Sequence, residues 1–182
     1  MIDHSMEKEA SSIRNILNFQ FEMSWELLEI HLADLQEEEY IWRPASNGLH
    51  ISHESGVWQA DWPESESYDI GPASIAWLTW HVTFWWSMVL DYSFGNATLT
   101  HEDVNCFGNI KETKDRIYHL RDEWIVRVEE LSVDDLLSSK RTRWPFIDKP
   151  FYELCAWLNL ELMKNAAEIG YCRFLYASSL KK

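Results

Sequence analysis

Three polar side chains in this 182-residue chain stand where polarity needs a reason: His81, Glu161 and Asn165. Glu161 and Asn165 are four apart, so on a helix they stack on one face. That face also carries Leu154, Leu158, Leu162 and Ile169, which makes it the apolar one. A carboxylate buried among leucines is heavily penalised by desolvation unless something pairs with it. A divalent metal is one such partner. His81 sits between Trp77 and Trp85, each one turn away, and neutral imidazole is the commonest protein ligand for first-row divalent metals. A histidine, a carboxylate and a third ligand with open positions would describe a catalytic metal site. Glu168, just beyond Asn165, could orient a ligand from behind. A metal-free reading uses the same groups. His81 could donate to a backbone carbonyl or to Glu161, Glu161 could pair with an arginine, and Asn165 could bridge them as a plain amide, since buried polar groups are usually satisfied by protein.

Four helical segments must hold these groups. In the first, Ile13, Ile16, Leu17, Leu27, Leu28 and Leu35 recur at spacings of three and four, which predicts a helix from about Ser11 or earlier to about Leu35. Gln20, Ser24 and His31 fall on the same inward stripe and could join the polar network. Gln36 to Glu39 reads as a solvated helix end, and Pro44 as a breaker. Residues 45–71 hold Asn47-Gly48, Gly56, Pro63 and Gly71. They form a long connection of the kind that is functional or mobile, expected to cover the site. Pro72 suits the first turn of a second helix. That helix, Ser74 to Tyr92, is apolar nearly all round and so deeply buried, and Phe94-Gly95 ends it. The third helix reads Ile110, Thr113, Ile117, Leu120, Trp124, Val128, Leu131. After a second connection (132–150), the fourth runs from near Pro150 to about Ala177, with Phe151, Leu154, Leu158, Glu161, Leu162, Asn165, Ile169, Cys172 and Tyr176 inward. With no convincing strand pattern, the fold class is all-α, a four-helix bundle in one domain spanning 1–182. The long first connection leaves room for the first two helices to be parallel neighbours.

Composition narrows the functions. A formal charge of −14 with no basic run beyond Lys140-Arg-Thr-Arg143 supplies no footprint for phosphates, so neither nucleic acid nor an anionic membrane is an expected partner. Cys106, Cys155 and Cys172 are odd in number and lack C-x-x-C spacing, and so form neither a disulfide framework nor a zinc ribbon. The charged start, Met1-Ile-Asp-His-Ser-Met-Glu, has no apolar run and no stretch is long enough to span a bilayer; a reducing cytoplasm is the expected compartment. His50 and His53 in the long connection read as solvated, His4, His101 and His119 as surface residues, and the cluster Trp77, Trp80, Trp85 and Trp86 as core that could partly wall a cavity.

Three stretches also carry a resemblance. Pro72-Ala-Ser-Ile-Ala-Trp-Leu-Thr-Trp-His81, Trp144-Pro-Phe-Ile-Asp-Lys-Pro150 and Asn159-Leu-Glu161 with Ala167-Glu168-Ile-Gly170 are similar to the helix-2 motif, the last linker and the helix-4 motif of the DinB-like superfamily. The region from about Leu17 to Tyr176 resembles those proteins in helix order and loop lengths. The resemblance implies a DinB/YfiT-like bundle with a long crossover between helices 1 and 2, often a homodimer. In the thiol-dependent isomerase and transferase branch a histidine, a glutamate and a second histidine hold a divalent metal. Carried over, these fall on His81, Glu161 and Asn165. Asparagine offers only a neutral amide oxygen in place of imidazole. The implied zinc- or nickel-type metal is therefore bound weakly or not at all, unless His31 replaces the lost ligand from another helix.

Two functions follow. One is a metal-dependent enzyme of transferase, isomerase or hydrolase type, in which the metal lowers the pKa of a bound thiol or water to attack a small molecule. The other is a metal-free, non-catalytic bundle serving as a small-molecule binder or interaction protein.

Overall fold

A computed structural model describes residues 4–65 and 67–181, with side chains from Glu7 onward. Met1 to Asp3, read above for a targeting signal, and the His4 side chain lie outside the described residues. The chain forms α1 (His4–Leu32), α2 (Glu37–Tyr40), β1 (Ile51–Glu54), β2 (Val57–Ala60), α3 (Ile75–Phe94), α4 (Ile110–Glu129), α5 (Val133–Leu137) and α6 (Phe151–Ser179). The four long helices are those expected from periodicity. α2 and α5 are single turns in the connections, and β1 and β2 make an antiparallel hairpin in register Ile51 to Ala60. None of the described helices is long and apolar enough to cross a membrane.

Local chemistry sets the ends. α1 stops three residues short of Leu35, because Asp34 takes a left-handed conformation (φ 54) that helices use to terminate. α3 starts from Ser74, whose hydroxyl accepts from the Trp77 amide at 3.3 Å. Pro72 therefore lies before the cap rather than in the first turn. Asn109 caps α4 by accepting from the Glu112 amide at 2.9 Å. Carbonyls at the far ends are covered by neighbouring cations: Arg14 on α1 donates to Val128 and Leu131 beyond α4, and Lys114 on α4 donates to Leu32 at the end of α1.

Contacts fix the helix directions. Leu17 meets Asn159 and His31 meets Arg173, so α1 and α6 run parallel. His81 meets Asn165 and Phe94 meets Phe151, so α3 runs against α6. The first two long helices therefore run in opposite senses, not parallel. The parallel pairs are α1 with α6 and α3 with α4, the latter following from Ser87 against Arg116 and Phe94 against Trp124. The long connection begins and ends at one end of the bundle, where Cys172 lies against Ala73. It spends its length on the hairpin, which is tied down by Trp77 Nε1 donating to Asp61 O at 2.7 Å.

The core runs between the helices on large rings. Trp85 and Trp86 are fully buried, and Phe21 and Trp25 of α1 reach Trp86 with ring centroids 6.3 Å away. Ile16, expected inward, is 59% exposed. It is one residue, about 100° of rotation, from buried Leu17. In the connection, Gly48 has φ 149, and a Cβ there would sit 2.1 Å from the Pro72 carbonyl oxygen. Backbone cannot yield as a side-chain tip can. Gly48→Ala should therefore cost about 1–3 kcal/mol. An unchanged urea midpoint would show that the loop docks more loosely.

Candidate functional site

His81 lies at the middle of α3, its ring sandwiched by residues one turn away on its own helix. Trp77 stacks on it at 4.8 Å and 15°, and Phe84 at 6.1 Å and 22°. α6 brings Asn165, only 1% exposed, against it. Asn165 Oδ1 accepts from Trp85 Nε1 at 3.0 Å and lies 3.3 Å from His81 Nδ1, while Asn165 Nδ2 donates to Glu168 Oε2 at 3.0 Å. Indole can only donate and a carboxylate can only accept, so these two partners fix which way the amide points. The atom facing His81 is then an acceptor, and Nδ1 must carry the proton. Nε2 holds the lone pair and has no hydrogen-bond partner among the described residues. Burial, with the nearby Lys164 charge second, pushes this imidazole from its ordinary 6.5 down to about 4, against a small opposing effect of Asn165. His81 is therefore neutral at pH 7.

His81 opens onto a cleft of ≈ 550 Å³ between α3 and α6. One end holds His81, Glu161 and Lys164; the rest is walled largely by rings, with Met88, Leu99, Thr100 and Pro145 among them. Trp144 contacts Trp157 edge-on at 5.8 Å and Phe84 at 5.8 Å. Trp62, from the long connection, lies flat on His101 at 4.3 Å and 15° and edge-on to Phe84 at 5.0 Å. The connection thus reaches the cleft through Trp62. Glu161 and Lys164 are bound to each other at 2.6 Å, with side-chain exposures of 19% and 47%.

These donors do not fit the divalent metal that the sequence resemblance implies. The Asn165 oxygen already accepts two hydrogen bonds, and its nitrogen is held by Glu168. Glu161 is neutralised by an ammonium three residues away on its own helix. What remains for a metal is one imidazole lone pair and a carboxylate already paired with an ammonium. Among the described residues no three His, Cys, Asp or Glu side chains are grouped as a metal would need. His31 does not supply the deficit. It packs against Gly170 and Arg173 at the α1–α6 seam and does not line the cleft.

The sequence candidates thus divide. His81 lies against Asn165, which is bonded to Glu168, and His81 shares the cleft with Glu161. Ser24 instead donates to the carbonyls of Gln20 and Asn159, and Gln20 is exposed; neither joins the His81 network. His50 is buried at 5% exposure with both ring nitrogens lacking a hydrogen bond among the described residues, and burial lowers its pKa. It is not solvated, because its main chain is pinned in both directions to Asp61. His53 is exposed and lies beside the Trp58 ring, and His119 on α4 is exposed. His101 is not a plain surface residue, since it lines the cleft under Trp62. Glu39, read as part of a solvated end, is 6% exposed and bound to Arg173 at 2.9 Å. Sequence reasoning missed Lys164. Its signal was available: three residues past Glu161, it can pair along the helix.

A family model described as "DinB superfamily" matches residues 20–169, most of the chain. No curated protein and no solved structure matches it.

Proposed function

The chain belongs to the DinB superfamily, and from that premise we propose that it works as a metal-independent binder of a small molecule, held in the ring-walled cleft at His81. One observation carries this reading. The residue standing at the third metal position, Asn165, is consumed as a hydrogen-bond hub for Trp85, His81 and Glu168. A pocket of a few hundred Å³ with ring walls and a few convergent polar groups is a common form of small-molecule site. In it, Asn165 orients His81, and His81 offers Nε2 as an acceptor. The second reading, a metal-dependent transferase, isomerase or hydrolase acting on a small electrophile or thiol conjugate, keeps one observation in its favour: that same Nε2 lone pair, unengaged at the cleft.

Metal titration separates the two. Wild-type protein purified without a histidine tag should carry no stoichiometric metal and show no melting shift with added zinc or nickel. Asn165→His should acquire one, because a ligand that binds only the folded state at 100 times its Kd adds about 2.7 kcal/mol. For a chain of this size that is about 5–11 °C. His81→Ala should abolish the shift. A full equivalent of metal in the wild-type protein, lost on His81→Ala, would overturn the metal-independent reading.

A further inference from the structure

We propose that the cleft takes an aromatic α-amino acid, its zwitterionic head at the His81 end and its ring against the tryptophan wall; this rests on the metal-independent reading above. The argument starts from the charges. Among the described residues, two charged side chains line the cleft, the Lys164 ammonium and the Glu161 carboxylate. They bond to one another at 2.6 Å. A ligand bearing a single charge would sit beside one like charge of the pair, which repels it. A zwitterion laid against the pair meets each charge with its opposite. The ligand carboxylate takes Lys164, which has two further N–H donors beyond the one given to Glu161. The ligand ammonium takes Glu161 and a third group that can accept.

His81 is that third group. With Nδ1–H spent on Asn165, Nε2 can only accept while the ring is neutral, and nothing else among the described residues bonds to it. Its orientation is set by Asn165 and by the Trp77 and Phe84 rings on either side. A head group lacking an N–H donor would leave this lone pair facing the ligand unpaired, at a cost comparable to a lost hydrogen bond.

The body of the ligand follows from the antiparallel run of α3 and α6. His81 is level with Asn165, and Phe94 with Phe151, so the polar groups cluster toward one end while Trp157, Trp144 and Tyr92 lie further along. Trp144 and Trp157 meet edge to face, and a planar ring can add to such a wall in the same offset or T-shaped manner. The cleft volume of ≈ 550 Å³ admits an amino acid with a one- or two-ring side chain. The exposure of Lys164 and Glu161 makes each contact modest, so discrimination comes from having both.

Calorimetric titration with L-phenylalanine and L-tryptophan tests the inference, against 3-phenylpropionate (no ammonium), phenethylamine (no carboxylate) and L-leucine (no ring). The amino acids with rings should bind; 3-phenylpropionate and phenethylamine should bind about 10-fold more weakly or worse, the worth of one charge-assisted hydrogen bond, and L-leucine more weakly for want of the ring contact. Lys164→Met should erase the preference for L-phenylalanine over phenethylamine, and Glu161→Gln should reduce the preference over 3-phenylpropionate. Both sites are partly exposed, so both variants should keep the wild-type circular-dichroism spectrum. Equal binding of all five compounds, or binding of none at millimolar concentration, overturns the inference. The fluorescent dye anilinonaphthalene sulfonate reports on the cleft separately. If wild type binds it, Trp157→Ala does not, and L-phenylalanine fails to displace it, the cleft is a binding site and the zwitterion inference falls alone. Stoichiometric metal bound through His81 removes the underlying reading instead.

Discussion

Arg173→Met should lower the melting temperature by about 6–12 °C, the equivalent of about 3 kcal/mol for a chain of this size. Arg173 reaches from α6 to three acceptors: Glu39 Oε1 at 2.9 Å, the His31 carbonyl at 3.0 Å and the Ala33 carbonyl at 2.9 Å. The two carbonyls are orphans at the end of α1, and an arginine there does the work of a cap. Glu39 has an 8% exposed side chain, so removing its partner strands a carboxylate out of water, which costs more than the pair itself contributes. Arg173 is itself 26% exposed, which puts the effect at the low end for a broken buried pair. The diagnostic measurement is a double-mutant cycle. Adding Glu39→Gln to Arg173→Met should recover part of the loss, because the stranded charge goes with it. Additive losses would mean that Arg173 acts through the carbonyls alone.

That contact also shows where reading the sequence stopped. The four long helices were readable because each buries one face, and burial imposes a period of three and four on α4 and α6, or an all-apolar run on α3. α6 delivered nearly its whole inward stripe, with Glu161 alone turned toward the cleft. What could not be read was pairing across helices. Gln36 to Glu39 is a run of polar residues whatever it touches, and only the parallel run of α1 and α6 brings Arg173 over Glu39. His50 looked solvated because its neighbours are loop residues, yet the hairpin folds back and covers it. At the site, His81 lies against Asn165 and shares the cleft with Glu161. Their roles depended on hydrogen-bond direction, which spacing does not carry: Trp85 and Glu168 fix the amide, and the amide fixes the imidazole. Lys164, next to Asn165 in the chain, pairs with Glu161 along the helix, and nothing in its residue type marks it as lining the cleft.

Acidification should destabilise the protein well above the range where its carboxylates protonate. His81 has its folded pKa lowered from 6.5 to about 4, chiefly by burial, and His50 and His31 are lowered in the same direction by the same cause. Between these values the unfolded chain binds protons that the folded one excludes. Stability is therefore full above about pH 6.5 and falls as pH drops toward 4. For His81 alone the shift corresponds to about 3 kcal/mol, of which about 2 kcal/mol should be gone between pH 7 and pH 5. The carboxylates held low by hydrogen bonds, Asp135 beside Ser132 and Arg141, Asp103 beside Thr100 and Asp69 beside Ser67, lose their contribution only at still lower pH, below their ordinary 3.8. Urea unfolding at pH 7 and pH 5 reads the difference directly. His81→Gln, which keeps a donor for Asn165 but cannot titrate, should flatten the dependence and leave a smaller slope from His50 and His31. If the wild-type and His81→Gln slopes coincide, the imidazole is not held neutral by its surroundings, and the proton assigned to Nδ1 by the Trp85–Asn165–Glu168 chain loses its energetic support.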